Sequence, residues 1–294
     1  MTAASAIAIL MATGLAGQAG AEGYDTSGIK VDEQLAARVP ERIRAAGVLV
    51  GGSDNNYAPW EYMAGDDGQT PEGIDIDIGN AIAAKLGLKY ESRTAQFTTI
   101  IPALGANYDI GLNAFSITAE RMKVVNFVSY TETGNEWVIR AGNPDGFDPS
   151  DICGRKIAVQ SGTDHEKKLH IVNDDCVASG KPEMEFLPFQ NQTEAVTRVA
   201  AGGADATMTG SATAYYAAFK SDGVLETVTP VGDTLNFRGL NGIPVAKADM
   251  ELTELIADTL TAMIEDGTYG AILDAWGMSG VGIKKVEINP DPEY

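Results

Sequence analysis

The sequence predicts an α/β protein of two similar lobes with a ligand cleft between them. Short β-like runs alternate with helix-like stretches along the chain, which is typical of βαβ architecture. Two segments, Phe97 to Leu112 and Phe189 to Met208, repeat the same order of a helix, a glycine, and an aspartate at the entry to an apolar strand. The 294 residues suffice for two buried cores. Two repeated units leave a cleft between them, where small-molecule sites commonly form.

The first half of the chain predicts one such unit. Isoleucines at every fourth residue predict an amphipathic helix over 75–86, because residues four apart share one helix face. Asp75 is a candidate N-cap for this helix, and Gly87 is a candidate stop. The strands predicted in this half are Val48–Val50, Tyr108–Leu112 and Val124–Tyr130.

The second half predicts a similar unit followed by a helical end. The run from Thr163 to Glu166 fits a capping box that opens a helix. An apolar face over 252–264 predicts a long helix that Gly267 stops. The other elements predicted here are strands at Lys156–Gln160 and Asp205–Thr209, and helices at Asn191–Ala200 and Tyr269–Trp276.

The chain is strongly acidic. It carries 41 acidic and 21 basic residues, which gives a formal net charge of −20. Such a surface repels phosphate backbones, so nucleic acid is not an expected partner. We attribute the acidity mainly to solubility. It does not exclude an anionic ligand, because a buried site sets its own local field.

The amino terminus has the features of an export signal. The apolar stretch Ala6–Ala16 is too short to span a membrane, and Ala19-Gly20-Ala21 follows as a small-x-small cleavage pattern. We therefore expect a signal peptide over 1–21, an extension over 22–39, and a mature protein at the periplasmic or extracellular face of the cell envelope. The first basic residue is Lys30, so the basic start of a signal is lacking. A start codon assigned too far downstream would explain that gap, and a disordered alanine-rich tail is the alternative.

Cysteine and histidine are scarce. Cys153 and Cys176 are the two cysteines, and in an exported protein we expect them to form a disulfide. Two buried free thiols are the competing interpretation. The two histidines, His165 and His170, complete no metal-ligand spacing, so neither a metal nor another cofactor is expected.

Short runs along nearly the whole mature chain carry a family resemblance. They are Gly52–Tyr62, Glu72–Ile78, Ile101–Leu104, Tyr108–Asp109, Ser116–Arg121, Asn126–Phe127, Cys153–Lys156, Val159–Thr163, Gly203–Ala206 and Glu265–Tyr269. In this order they resemble the family-3 solute-binding proteins, the polar amino acid receptors of ABC importers.

The resemblance implies a type II periplasmic-binding-protein-like fold, in which each lobe is a mixed sheet flanked by helices. Lobe one would comprise 40–137 and 240–294, and lobe two 138–239. Such a protein captures an amino acid or a related small carboxylate by hinge closure and passes it to a membrane permease. We expect it to act as a monomer.

The resemblance assigns Arg121 to the ligand's α-carboxylate. A planar guanidinium offers paired donors that match the two carboxylate oxygens. The alternative is a surface arginine at the start of a helix. Ser116 and Thr118 would add hydroxyl or backbone donors, although helix capping also explains Thr118. The residues assigned to the site beside this arginine are Asn113, Ala114, Phe115 and Ser116.

The resemblance also implies an aromatic wall for the ligand. Tyr57 matches the aromatic residue that packs on the ligand, and Trp60 and Phe97 occupy neighbouring family positions. Core packing is the alternative, above all for Trp60. Asp54 precedes this loop, where it would either orient the loop or contact the ligand.

In lobe two, the resemblance places Gly162, Thr163 and Asp164 in a strand-to-helix loop that faces the ligand. Asp164 would cap the helix or receive a cationic group. Gly210 departs from the family, because members that bind α-amino acids usually carry an acidic residue there. Either Asp164 supplies the missing carboxylate, or the ligand lacks a primary ammonium. If the missing acid explains specificity, an aspartate introduced at Gly210 is expected to improve binding of ordinary α-amino acids.

Two other classes of protein share this fold. A cyclohexadienyl dehydratase has the same arginine and adds a catalytic acid, but no acid in this sequence has a spacing that marks it for general acid catalysis. We therefore predict no catalytic residues and a protein that is not an enzyme. A sensor module is the third class, and no signalling domain follows the last predicted helix.

Overall fold

The computed structural model describes residues 23–292, so the predicted signal peptide lies outside the described residues. The described chain forms two lobes, each with a mixed sheet flanked by helices. The long strand β7 (Val125–Arg140) takes part in both sheets. The two-lobed α/β fold predicted from the sequence is confirmed.

The other strands are β1 (Val48–Ser53), β2 (Asn56–Tyr57), β3 (Glu61–Ala64), β4 (Thr70–Glu72), β5 (Lys89–Thr94), β6 (Ile110–Gly111), β8 (Lys156–Gln160), β9 (Glu185–Phe189), β10 (Ala206–Gly210), β11 (Leu225–Val228) and β12 (Arg238–Ala246). The α-helices are α1 (Glu33–Ala36), α2 (Glu41–Ala46), α3 (Ile74–Lys85), α4 (Phe97–Ile100), α5 (Ala119–Met122), α6 (Asp164–Ala178), α7 (Gln192–Ala200), α8 (Ser211–Lys220), α9 (Met250–Glu265) and α10 (Thr268–Ala275). Short 3-10 turns lie at Thr26–Gly28, Ile101–Ala103 and Ser279–Val281.

The first sheet has the strand order β5-β1-β6-β12-β7. Strand β1 pairs in parallel with both β5 and β6, whereas β12 is antiparallel to β6 and β7. A small sheet of β2, β3 and β4 lies off this path. The loops that follow β1 and β6 leave the sheet at the same edge, since the carboxyl ends of parallel strands meet there.

The second sheet begins where β7 changes partners. Residues 125–134 of β7 pair with β12, and residues 135–139 pair with β10. Strand β11 pairs on the other side of β7, and the parallel strands β8 and β9 follow β10. The crossover therefore lies at Gly134 and Asn135, so Asn135 sits between the two lobes.

Each lobe has its own apolar core. Leu49, Ile78 and Leu255 are fully buried in the first lobe, where α3 and α9 pack on the sheet. Trp137 and Leu169 are fully buried in the second lobe. A further cluster of buried aromatic and aliphatic side chains in the first lobe includes Phe97, Phe115 and Phe127. These cores hold the strand ends that face the cleft.

The start of α3 corrects the sequence analysis. The N-cap is Gly73, not Asp75, and a side chain at position 73 is excluded because its Cβ would lie 2.2 Å from the Trp60 carbonyl oxygen. Asp75 lies inside the helix, is fully buried, and accepts a hydrogen bond from the Tyr130 hydroxyl. The helix is also buried on nearly all sides, so the predicted amphipathic pattern is wrong.

The start of α6 forms one half of the predicted capping box. Thr163 is the N-cap, and its hydroxyl accepts from the Glu166 amide at 3.1 Å. The Glu166 carboxylate accepts from the Gly162 amide at 2.7 Å, one residue before the N-cap. Both bonds satisfy amide groups that the helix itself leaves unpaired.

The predicted disulfide is present. Cys153, before β8, is bonded to Cys176 on α6, with their Cα atoms 5.7 Å apart. Within residues 23–292, no helix has the length and apolar character needed to cross a membrane.

Candidate functional site

Side chains from both lobes line one small cavity in the cleft. Its volume is about 20 Å³, room for about one water molecule. The first lobe contributes Tyr57, Phe97, Asn113, Ala114, Ser116 and Arg121, and the second lobe contributes Gln160, Thr163, Asp164 and His165.

Arg121 spans the cleft. It lies on α5, whose N-cap Thr118 accepts from the Arg121 amide at 3.3 Å. Its guanidinium donates to the Ser116 carbonyl oxygen at 2.9 Å and to the Gly162 carbonyl oxygen of the second lobe at 3.1 Å. These bonds fix the plane of a group whose paired donors suit a carboxylate.

An aromatic pair supports the same guanidinium. The rings of Phe97 and Phe115 stack with their centroids 5.0 Å apart. The Cζ atom of Arg121 lies 5.4 Å from the Phe97 centroid and 5.5 Å from the Phe115 centroid, within cation–π range. Phe97 faces the cavity, whereas Phe115 is 1% exposed and supports Phe97 from behind.

Tyr57 joins the first lobe to the end of β10. Its hydroxyl lies 2.8 Å from the Thr209 hydroxyl and accepts from the Gly210 amide at 3.1 Å. Burial raises the pKa of Tyr57, so the hydroxyl stays protonated. A Cβ at position 210 would lie 3.1 Å from the Tyr57 hydroxyl oxygen, so that hydroxyl occupies the space beside Gly210.

Asp54 lies behind the cavity wall. Its carboxylate accepts from the Asn56 amide and from the Gln160 side chain, each at 2.8 Å. The Asn113 side-chain oxygen accepts from the Asp54 amide. Burial raises the pKa of the Asp54 carboxyl, and these hydrogen bonds oppose that rise. Asp54 thus orients two cavity residues, Asn113 and Gln160.

The start of α6 forms the second-lobe wall. The Thr163 hydroxyl donates to the Gln160 carbonyl oxygen at 2.8 Å. Asp164 does not cap the helix; one of its oxygens lies 3.4 Å from the Lys168 ammonium, and both side chains are below 10% exposed. His165 places its Nε2 2.9 Å from the Asn135 side-chain oxygen. An acid and an imidazole therefore adjoin the cavity.

Two buried acids support the cavity wall beneath Ala114. Asp75 accepts from the Ala114 amide at 3.0 Å and from the Tyr130 hydroxyl at 2.7 Å. Burial raises the pKa of Asp75 to about 6. Burial, reinforced by the charges of Asp75 and Asp54, raises the pKa of Glu61 well above its ordinary value. The buried site therefore favours the protonated form of Glu61, which can donate to Asp75.

The structure brings most of the predicted ligand-binding residues to one place. The predicted residues that line the cavity are Tyr57, Phe97, Asn113, Ala114, Ser116, Arg121, Thr163 and Asp164. Asp54, Phe115, Gly162 and Gly210 contact these residues from behind. Trp60 lies elsewhere: it is 1% exposed and packs edge-on against Tyr130 in the core.

Two cavity residues were missed by the sequence analysis. Gln160 ends the predicted strand β8, and His165 lies inside the predicted capping box. Both flank the loop that was assigned to the ligand. Their positions next to that loop could have identified them as cavity residues.

Comparison with known proteins identifies the family. A family model described as bacterial extracellular solute-binding proteins, family 3, matches residues 49–279. The arginine-binding protein ArgT of Corynebacterium glutamicum is 28% identical over 261 residues, which cover 88% of this chain and 84% of that protein. An ancestral arginine-binding protein, solved with arginine, superimposes with a TM-score of 0.70 and 32% identity over 78% of this chain and 98% of that one.

A third similar protein bears on the enzyme alternative. The ancestral amino acid-binding protein AncCDT-1, a precursor of cyclohexadienyl dehydratase, superimposes with a TM-score of 0.67 and 29% identity over 80% of this chain and 98% of that one. The family match spans both sheets and every residue of the cavity. This chain belongs to the bacterial extracellular solute-binding proteins of family 3.

Proposed function

We propose that this protein is the receptor of an ABC importer and that it captures an amino acid, with cationic amino acids such as arginine as the first candidates. The observation that carries the proposal is the position of Arg121, whose guanidinium lies in the cleft and bonds to carbonyl oxygens of both lobes. A ligand carboxylate is a stronger acceptor than a backbone carbonyl, because a hydrogen bond between charged groups is the stronger one.

The chemistry of the remaining cavity residues suits the rest of an amino acid. The lobes must part further to admit it, because the cavity in this structure holds about one water molecule. Tyr57 and Phe97 supply aromatic surface for an aliphatic chain, and Asn113 and Gln160 supply amide groups. Asp164 is the acidic side chain among the residues that line the cavity, and it belongs to the second lobe. Relatives named for arginine binding support a ligand with a cationic group.

We assign ligand contact to the ten residues that line the cavity. Asp54, Phe115, Gly162 and Gly210 act by holding them, and Trp60 belongs to the core. The lobe boundaries at 40–137 with 240–294, and at 138–239, are part of the proposal. They are supported by the partner change of β7 at Gly134 and Asn135.

The proposal includes a membrane permease as partner, export to the cell envelope, action as a monomer, and no catalysis. The relatives are named as binding proteins, and the dehydratase precursor is itself named for amino acid binding.

Isothermal titration calorimetry with the twenty standard amino acids, ornithine and citrulline tests this function. We expect saturable binding of at least one cationic amino acid. Arg121→Ala should abolish that binding, and Arg121→Lys should weaken it, since lysine keeps the charge without the paired donors. Unchanged affinity in Arg121→Ala, or turnover of prephenate by the wild-type protein, would contradict the proposal.

A further inference from the structure

A hydrogen bond to Asn135 holds the His165 ring at the cavity. This bond also determines which ring nitrogen carries the hydrogen. The Asn135 side-chain nitrogen donates to the Leu235 carbonyl oxygen at 3.0 Å. The Asn135 side-chain oxygen is therefore the atom turned toward His165, and it lies 2.9 Å from Nε2. An amide oxygen accepts but cannot donate, so Nε2 carries a hydrogen.

The second ring nitrogen, Nδ1, then determines whether His165 can accept a further hydrogen bond. Burial lowers the pKa of His165 to about 4, and the positive charges of Lys168 and Arg121 lower it while Asp164 raises it. The imidazole is therefore neutral at physiological pH. A neutral imidazole protonated at Nε2 has an unprotonated Nδ1, which is an acceptor.

Asn135 is the hydrogen-bond partner of the His165 ring within residues 23–292. His165 also lines the ligand cavity. The end of β10 offers no acidic side chain to a ligand, because the residue there is Gly210 and the Tyr57 hydroxyl fills the adjoining space. The second-lobe wall of the cavity thus includes, beside Asp164, a histidine whose second ring nitrogen is an acceptor.

We propose that His165 is a specificity-determining residue, whose Nδ1 lone pair accepts a hydrogen bond from a cationic nitrogen of the bound amino acid. This inference rests on the proposed function. It extends that function by selecting ligands that present an ammonium or guanidinium N–H on the second-lobe side of the cavity. Asn135 is a positioning residue, since it holds the ring in the accepting tautomer.

Two substitutions distinguish the role of Nδ1 from that of Nε2. His165→Gln places an amide that can still donate to Asn135 but offers no acceptor at the Nδ1 position. His165→Asn is the matched control, because its side-chain oxygen lies near the Nδ1 position while the bond to Asn135 is lost. We expect His165→Gln to lose at least about tenfold in affinity for L-arginine, and His165→Asn to lose less.

Ligand analogues identify the nitrogen involved. L-Arginine is compared with 5-guanidinopentanoate, which lacks the α-ammonium, and with L-citrulline, which lacks the guanidinium charge. The loss caused by His165→Gln should disappear for one of the two analogues. An equal loss for all three ligands would show that the ring only fills space and would overturn the inference.

Nitrogen-15 spectroscopy of the wild-type protein gives an independent readout. The chain has two histidines, so exposed His170 serves as an internal reference. We expect one protonated and one unprotonated nitrogen in His165 at pH 7, with the Nδ1 signal shifting on ligand binding. A protonated Nδ1 would overturn the inference.

The failure of the proposed function can be told apart from the failure of this inference. If no amino acid binds the wild-type protein, the proposed function itself fails. If an amino acid binds and the Nδ1 signal does not move, the inference alone fails.

Discussion

The side-chain amide of Gln160 donates to the carboxylate of Asp54 at 2.8 Å and joins the two lobes behind the ligand cavity. Both side chains are below 5% exposed. A bond between lobes forms only in the closed arrangement, so its free energy favours closure and the ligand affinity that depends on closure.

We therefore expect Gln160→Leu to weaken ligand binding. The substitution leaves one Asp54 oxygen buried without its donor, which costs about 1–3 kcal/mol, or roughly 5- to 150-fold in the dissociation constant. Calorimetry measures the affinity, and small-angle scattering measures the closed fraction. Thr193→Ala is the control, because Thr193 also bridges the lobes, donating to the Asn56 carbonyl oxygen at 2.9 Å, but at an exposed position. Equal losses of ligand affinity in the two variants would show that the buried bond favours closure no more than the exposed one does.

Gly210→Asp should weaken binding rather than improve it. Position 210 was predicted to be open for an acid, but a Cβ there would lie 3.1 Å from the Tyr57 hydroxyl oxygen. The new side chain crowds the Tyr57 hydroxyl, which bonds to Thr209 and to the Gly210 amide and must shift by a few tenths of an ångström. The double variant Tyr57→Phe with Gly210→Asp removes the obstructing hydroxyl and should bind α-amino acids more tightly than Gly210→Asp alone. A single variant that already binds more tightly than wild type would contradict this.

The predictions that were confirmed and those that were wrong differ in whether local residues define the feature. Strand β8 and helix α9 were predicted because each carries a local apolar pattern that its own residues define. Asp75 was misassigned as a cap, because its role depends on Tyr130, 55 positions away. His165 was missed because its orientation depends on Asn135 at the strand crossover. Long-range partners, not local propensity, set these roles.

The disulfide should stabilise the second lobe without changing the affinity for the ligand. It closes a separation of 23 residues, for which loop-closure entropy predicts about 3 kcal/mol. Replacing both Cys153 and Cys176 by serine should lower the melting temperature by roughly 6–12 °C for a chain of this size. Neither cysteine lines the cavity, so the dissociation constant should stay within about twofold. Dithiothreitol is the control, since it should lower the melting temperature of wild type but not of the double variant.

Buried Glu61 should make the protein less stable as the pH rises above neutrality. Its pKa is raised well above the ordinary value of 4.5 by burial and by the charges of Asp75 and Asp54. Above pH 4.5 the unfolded chain releases this proton while the folded protein retains it. The free energy of unfolding therefore falls with pH, by at most about 1.4 kcal/mol per unit, until the folded-state pKa is passed.

The pH range above 7.5 isolates this effect. Asp75, with a folded pKa of about 6, lowers stability as the pH rises from 3.8 to about 6. His165 acts with the opposite sign, because its folded pKa of about 4 lies below its ordinary value of 6.5, and it raises stability across that window. Both have largely completed their titration above pH 7.5. Urea unfolding at pH 7.5, 8.0 and 8.5 should show a falling free energy for wild type and a flatter profile for Glu61→Gln, which mimics the protonated acid. Asp75→Asn should end the fall in stability at a lower pH, because it removes one of the charges that raise the pKa of Glu61. Parallel profiles for wild type and Glu61→Gln would mean that Glu61 is ionised in the folded protein.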